Sequence, residues 1–279
     1  MSTLAGTGKL YPEIRAGGLR IACAGRAELA RLMVRECREA RAGRAPPKLV
    51  FGVNGQTISY AARDPELKRW HDLADHVHAD GQPLVLVARL LARPRIPERS
   101  PVTDFFHDAA AAACNASLHF YLLGGAEANN AACADIMRAR HPGLIIAGRH
   151  HGHFPPEDEA AICDDINAAQ ADVVWVGLGT PLEQRFCVRN RHRIRAGWLV
   201  GAGGCFNYVS GHYGRAPRWM QHAGLEWAYR LAREPRRLAW RYAVTNPHAL
   251  YLLLTRTSSL KPGHDDIAVG DVGAARSPG

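Results

Sequence analysis

Short apolar runs recur along the chain at Leu19–Ala24, Lys48–Val53, Leu118–Leu123, Leu144–Ala147, Val173–Gly177 and Trp198–Val200. Between them lie longer stretches with helical spacing of apolar positions, at Glu28–Arg41, Asp104–Cys114, Glu127–Arg140, Glu157–Ala169 and Leu182–Arg193. This alternation predicts an α/β fold, a Rossmann-like parallel sheet with helices on both faces. The runs are nearly continuous in apolar residues, as strands covered on both sides need to be. The alternation stops after Tyr213. Beyond it Trp219, Ala223, Trp227 and Leu231 recur four apart and predict one helix with a single apolar stripe. Pro217 is placed at its first position, and Pro235 ends it and starts another helix that runs toward Leu254. The expected organisation is a flexible lead-in over 1–18, an α/β core over 19–213, a helical basic and aromatic appendage over 214–256, and a disordered tail over 257–279.

In parallel sheets ligands collect beyond the carboxyl ends of the strands. The residues that follow the apolar runs are Asn54-Gly55, Gly124-Gly125, Gly148 to His151, Gly177 to Pro181 and Gly201 to Gly204. Two readings stand for these glycines. They are tight turns, or they let backbone and helix N-termini approach an anion. Asp80, in the turn His78-Ala-Asp-Gly-Gln-Pro83, is either a general base or an Asp-Gly turn residue bonding its own backbone. Arg99 is a solvated loop charge or a clamp on an anion, and Thr103 is placed as the N-cap of the helix that follows. His150, His151 and His153 have no cysteine beside them and no helical i, i+4 spacing, so no metal site is expected, and they either shape a loop or hydrogen-bond a ligand. A dinucleotide fingerprint at Gly201–Gly204 would need a following strand with an acid about 20 residues on. The corresponding stretch, Gln221–Glu226, reads as helix, which excludes a dehydrogenase from the leading readings.

The 279 residues carry a formal charge of +9, and 47% of them are hydrophobic. That balance suits a folded chain whose partner is anionic. Nucleic acid, a membrane surface and a nucleotide diphosphate all meet the description. The net positive charge concentrates in Gly201–Tyr242, where Arg215, Arg218, Arg230, Arg233, Arg236, Arg237 and Arg241 face only Glu226 and Glu234. Aromatic side chains among arginines suit single-stranded nucleic acid. Trp219 and Trp227 sharing one predicted helical face suit packing instead, and no nucleic-acid module is present. The seven cysteines form no CxxC pair, which points to a reducing compartment. No signal peptide and no stretch of about 18 apolar residues is found, so any membrane contact is expected to be peripheral.

Taken in order, these residues make the chain resemble the WecG/TagA/CpsF glycosyltransferases, glycosyltransferase family 26. The resemblance runs from about Lys48 to about Tyr242. It rests on Asn54, Ala79-Asp80-Gly81, Ile96-Pro97-Glu98-Arg99 with Thr103-Asp104, Phe120 to Gly125, and His151-Gly-His-Phe154. Gly177-Leu-Gly-Thr-Pro181, Arg215-Ala-Pro-Arg-Trp219, Gly224-Leu-Glu-Trp227 and Tyr229-Arg-Leu231 complete it. The resemblance implies an inverting, metal-independent transfer of a hexose or N-acetylhexosamine from a UDP-sugar to a polyprenyl-diphosphate-linked saccharide. The product would be a surface glycan or exopolysaccharide. The setting it implies is the inner face of the bacterial cell membrane, with the enzyme cytoplasmic and peripheral and no nucleic-acid partner; separately, Trp and Leu residues of the final helices could serve a homo-oligomer, a membrane or both.

By the same resemblance Asp80 is the base and Arg99 a second catalytic residue. Asn54, Thr103, Gly124, Gly125, Gly179, Thr180, Pro181, Glu183, Gln184 and Asn207 contact the donor. Arg215, Arg218, Arg230, Arg233, Arg236 and Arg237 meet diphosphate or membrane. Three positions depart from the family pattern. Pro181-Leu-Glu-Gln184 stands for a usual Pro-Lys-Gln-Glu, Asn207 for an Asp, and Gly52 for a common Thr.

Overall fold

The computed structural model describes residues 11–43 and 46–260, with the side chains of His222 and Arg237 outside that description. An antiparallel hairpin of β1 (Glu13–Ala16) and β2 (Leu19–Ala22) leads into α1 (Arg26–Arg41). Then come β3 (Lys48–Val53), α2 (Gly55–Ala61), α3 (Pro65–Asp72), β4 (His76–Ala79), α4 (Gln82–Leu91) and α5 (Val102–Ala116). The second half holds β5 (His119–Gly124), α6 (Glu127–Arg140), β6 (Ile145–His150), α7 (Glu159–Ala168), β7 (Val173–Gly177), α8 (Leu182–Asn190) and β8 (Trp198–Gly201). Four helices and a short strand close the described chain: α9 (Cys205–Val209), α10 (Arg218–His222), α11 (Glu226–Arg233), α12 (Pro235–Thr255) and β9 (Ser258–Ser259).

Six strands form one sheet in the order β4-β3-β8-β7-β5-β6, every neighbouring pair parallel. Side chains alternate between its two faces, as the period of a strand requires. Leu49, Phe51, Val77, Leu123, Val174, Val176 and Leu199 belong to one buried cluster. Val50, Phe120, Leu122, Trp175, Trp198 and Val200 belong to the other, where they meet Leu29 and Met33 of α1 and Phe105 and Phe106 of α5. Both faces are covered, which is why the strands read as apolar runs.

β4 escaped that reading because its sequence, His-Val-His-Ala, carries two histidines although all four residues are buried. The helices flanking it are short, and α2 and α3 start at the side-chain caps Asn54 and Asp64.

Several expectations are corrected. The lead-in is not flexible over residues 11–18. Ile14 and Ala16 are fully buried and alternate with Glu13 and Arg15, and β1 pairs with both β2 and β9. Gly17 and Gly18 turn that hairpin with φ of 59° and 90°, left-handed values that glycine adopts without steric cost. The tail beyond 257 includes Ser258 and Ser259 in that small sheet, while residues 1–10 and 261–279 lie outside the described residues.

The single tryptophan-striped helix is two helices. Gly224, at φ 75°, separates α10 from α11, and Trp219 and Trp227 remain 64% and 41% exposed. Pro217 is the N-cap of α10, not its first residue, and Pro101, not Thr103, caps α5. Finally, α12 does not end in an appendage. Ala249, Leu252 and Leu253 are buried, the two leucines in the cluster that holds Ile58 of α2 and Leu84 of α4.

Candidate active site

The carboxyl edge of the sheet carries a partly buried carboxylate. Asp80 follows β4, and its backbone N–H donates to the Val53 carbonyl at 2.8 Å, fixing the turn against the end of β3. Gly81 makes that turn possible, since a Cβ there would stand 3.2 Å from both Cα and Cβ of Asn54. Asn54 does two things at once. Its Oδ1 caps α2 by accepting from Thr57 N–H at 3.2 Å, and its Nδ2 donates to Asp80 Oδ2 at 3.3 Å. The Asp80 carboxylate also accepts from the backbone N–H of Val102, the first residue of α5. Burial pushes the Asp80 carboxyl above its ordinary pKa, against the pull of the nearby Arg99 guanidinium and of these two donors. Raised proton affinity in an oriented carboxylate is what a general base needs.

Arg99 lies beside Asp80 and is not a solvated loop charge. Its Nη1 meets Glu226 Oε2 at 2.9 Å and its Nη2 reaches Gln221 Oε1 at 3.4 Å, with the arginine side chain only 13% exposed. Arg215 is held by Asp104 at 2.6 Å and by the same Gln221 at 3.2 Å. Two arginines and one glutamine thus fasten α10 and α11 over the site. Gln221 was not singled out in the sequence, and Glu226 entered only as a counter-charge and as part of the Gly224-Leu-Glu-Trp227 motif, because each looks like an ordinary helix-surface residue until its partner is known.

The β7 and β8 ends supply the opposite wall. Gly124, at φ 132°, lies so close to β7 that a Cβ would be 2.3 Å from the Gly177 carbonyl oxygen. Gly125 N–H donates to that oxygen at 3.1 Å, and Gly152 N–H donates to the Gly125 carbonyl at 2.7 Å. The glycine at 124 is therefore set by backbone packing, and the one at 177 by the Phe206 ring, which a Cβ there would meet at 2.9 Å. Gly179, Thr180 and Pro181 form the partly open loop that follows β7.

Glu183, on the first turn of α8, is 4% exposed. One of its oxygens, Oε2, accepts from Gly179 N–H at 3.0 Å and from Gly203 N–H at 2.8 Å, tying the loops after β7 and β8 together. Its Oε1 accepts from Gln184 Nε2 at 3.4 Å. Burial pushes the Glu183 carboxyl up to about 7 despite these donors. Asn207 on α9 accepts from Asn129 Nδ2 at 2.8 Å, and Thr103 hydrogen-bonds Cys205. Asn54, Asp80, Arg99 and Arg215 are thus linked on the β3–β4 side, and Glu183, Gln184 and Gly179 on the β7–β8 side.

Of the remaining arginines, Arg218, Arg233 and Arg236 are exposed, and Arg230 stacks its guanidinium 5.5 Å from the Tyr208 ring centre. The Arg237 side chain lies outside the described residues. Arg230 and Arg233 line a cavity of about 280 Å³ with Tyr208, His212, Tyr213 and Tyr229. In the loop after β6, His150 and His151 pack ring against ring, with centroids 4.6 Å apart, and His150 Nδ1 bonds the His151 carbonyl at 2.8 Å. Those nitrogens serve the loop itself.

Two comparisons with known proteins give the family of the chain. Residues 14–262 match the model of the glycosyl transferase WecG/TagA/CpsF family. That span is wider than the motifs suggested, and it takes in β1 and β9, the strands that join the two ends of the described chain. The chain is also similar to an N-acetylglucosaminyldiphosphoundecaprenol N-acetyl-β-D-mannosaminyltransferase of Bacillus spizizenii. The two are 30% identical over 203 residues, which cover 72% of this chain and 77% of the relative.

Proposed function

The chain belongs to the WecG/TagA/CpsF family of glycosyl transferases, and from that membership we infer that it moves a hexose or N-acetylhexosamine from a UDP-sugar to a polyprenyl-diphosphate-linked saccharide in surface-glycan synthesis. The observation that carries the mechanism is the Asp80 carboxylate, held at the carboxyl edge of the sheet by Asn54 and the Val102 N–H with Arg99 beside it. The acceptor hydroxyl attacks the anomeric carbon of the donor from the face opposite UDP. Asp80 takes the hydroxyl proton as the new C–O bond forms, and the bond from the anomeric carbon to the UDP oxygen breaks. The product carries inverted configuration.

Charge builds on the departing diphosphate, and guanidinium groups are suited to receive it because they present fixed, bidentate donors. Arg99, Arg215 and Arg230 are assigned to this role. The loop from Gly179 to Pro181, with Asn54 and Asn207, is assigned to the donor. No divalent cation is required in this scheme, the arginines taking the diphosphate charge.

Membrane contact belongs to the same reading. Among the described residues no helix is long and apolar enough to cross a membrane. α4 exposes Leu86, Leu90 and Leu91, and α12 exposes Trp240, Leu250, Tyr251 and Leu254. Arg218, Arg233 and Arg236 on the last helices are exposed as well. Apolar side chains with arginines suit peripheral docking on anionic lipid, where the polyprenyl acceptor resides. The relative from Bacillus spizizenii is named for a lipid-linked acceptor of this kind.

The test is a transfer assay with a panel of UDP-sugars, UDP-N-acetylmannosamine among them, and a polyprenyl-diphosphate-linked N-acetylglucosamine acceptor. Donor-dependent appearance of an extended lipid-linked saccharide together with UDP supports the assignment. Failure of every donor with lipid-linked saccharides of bacterial origin, by a protein shown to be folded, overturns it.

A further inference from the structure

One buried group next to the site has no role in the chemistry above. His78, within β4, is 1% exposed and lies two residues before Asp80; a Cβ at Gly52 would meet both side chains, at 3.0 Å and 3.5 Å. Its Nδ1 is 2.8 Å from the Ser100 carbonyl oxygen. A carbonyl only accepts, so Nδ1 carries the hydrogen and Nε2 is bare. Burial lowers the ring's pKa to about 4, which keeps it neutral. The next contact is reciprocal: Ser100 N–H donates to the Ala79 carbonyl at 2.7 Å.

Two hydrogen bonds from adjacent residues of β4 therefore grip Ser100. On one side of Ser100 is Arg99, and two residues on is Val102, whose N–H the Asp80 carboxylate accepts. The ring is wedged from two directions. Phe105 of α5 lies 5.8 Å away, centroid to centroid. On the other side the strand β3 carries glycine at 52, where a Cβ would sit 3.0 Å from His78 Cε1 and 3.3 Å from Nε2.

We propose that His78 is a positioning residue for the transfer reaction. Its imidazole occupies the space left by the glycine at 52 and clamps Ser100, so that Arg99 and the Val102 N–H are delivered to Asp80. The proposal rests on the reading of Asp80 as the base. The clamp itself is a statement about the 99–102 segment that can be checked without turnover.

The experiment compares His78→Asn, His78→Gln, Gly52→Ala and the pair Gly52→Ala with His78→Asn. An asparagine amide reaches the position of Nδ1 but has nothing at Cε1 or Nε2, whereas a glutamine amide reaches the Nε2 position. His78→Gln is expected to lower kcat by about tenfold to a hundredfold, the size of effect that misplacement of reacting groups produces. The donor KM is expected to stay within about twofold of wild type, since uniform binding is not what is lost. The acidic limb of the pH–rate profile moves upward, because Asp80 loses the Val102 donor and the Arg99 charge, while Glu226 remains.

Amide exchange at Ser100 and Val102 speeds up in the same variant. In His78→Asn the rate, the acidic limb and the exchange all stay closer to wild type than in His78→Gln. Gly52→Ala is harmful alone and close to silent on the His78→Asn background, because the atoms it strikes are gone. Equal behaviour of His78→Asn and His78→Gln, with unchanged exchange at 100–102, overturns the proposal. So does additivity of the Gly52 and His78 substitutions. If Asp80→Asn were fully active, the base assignment would fail, yet the exchange measurement would still decide whether His78 clamps the segment.

Discussion

Replacing Glu183 by glutamine should make the protein more stable at alkaline pH, and the size of the effect follows from the burial of that carboxylate. Burial pushes its pKa from 4.5 up to about 7. Each tenfold change in proton affinity between folded and unfolded chains is worth about 1.4 kcal/mol, so an ionised Glu183 costs the fold about 3 kcal/mol. The sign follows from proton linkage. Between pH 4.5 and 7 the folded chain holds this proton and the unfolded chain has released it, so stability falls as pH rises through that window and stays low above it.

Glutamine removes the charge and keeps the geometry. Its amide oxygen can accept from Gly179 and Gly203 as Glu183 Oε2 does. Its new NH2 faces Gln184, whose own Oε1 is buried without a partner and can accept once the Gln184 amide turns over. Denaturant unfolding at pH 5, 6, 7 and 8 is the assay. Glu183→Gln is expected to exceed wild type by up to about 3 kcal/mol at pH 8, roughly 5–10 °C in Tm for a chain of this size, and to match it near pH 5. Equal pH slopes in the two proteins, or a glutamine variant that is less stable at pH 8, would refute the reasoning.

Four further outcomes are expected. Gly124→Ala should cost at least about 3 kcal/mol or prevent folding, because a positive φ and a backbone oxygen at 2.3 Å both oppose a side chain; near-wild-type thermal unfolding would contradict that. Leu252→Ala should cost about 2–5 kcal/mol as a large-to-small change in a packed core. Truncation before Arg215 should therefore destabilise the α/β core as well as remove the basic helices, and circular dichroism melting of both variants checks the point. Reversing Arg233 and Arg236 to glutamate should weaken sedimentation with anionic vesicles at least about tenfold, at about 1 kcal/mol per basic residue near the surface, and leave binding to neutral vesicles unchanged.

The sheet was legible because its central strands are buried on both faces and so spell themselves out as Lys48–Val53, Val173–Gly177 and Trp198–Val200. The hairpin at the amino end was not. Its buried residues alternate with Glu13 and Arg15 over four positions, and its second partner, Ser258-Ser259, has no apolar residue at all. β4 was hidden by its histidines, which burial and hydrogen bonding make acceptable inside the protein but which sequence spacing counts as polar.

The tryptophan stripe misled because spacing alone ignores Gly224, whose left-handed φ stops one helix before the next begins. At the site, Asp80 was visible as a candidate, but its choice over a plain turn came from the order of motifs. Of the residues that hold the site together, Gln221 and Ser100 carry no signal of their own, and Glu226 shows only as part of a motif whose role the sequence does not give. Their importance comes from contacts made over more than a hundred positions in two cases, and through a carbonyl oxygen in the third.

The central claim is that Asp80 accepts the proton from the attacking hydroxyl. Asp80→Asn keeps an oxygen for the Val102 N–H and changes volume little, so it isolates the base. Initial rates of transfer from UDP-sugar to the lipid-linked acceptor, read together with calorimetric binding of UDP to the same preparation, give the most direct measurement. A loss of about a hundredfold to ten-thousandfold in kcat, the range for a missing general base, with UDP affinity within about threefold of wild type, is the expected result. Turnover within about threefold of wild type would contradict it.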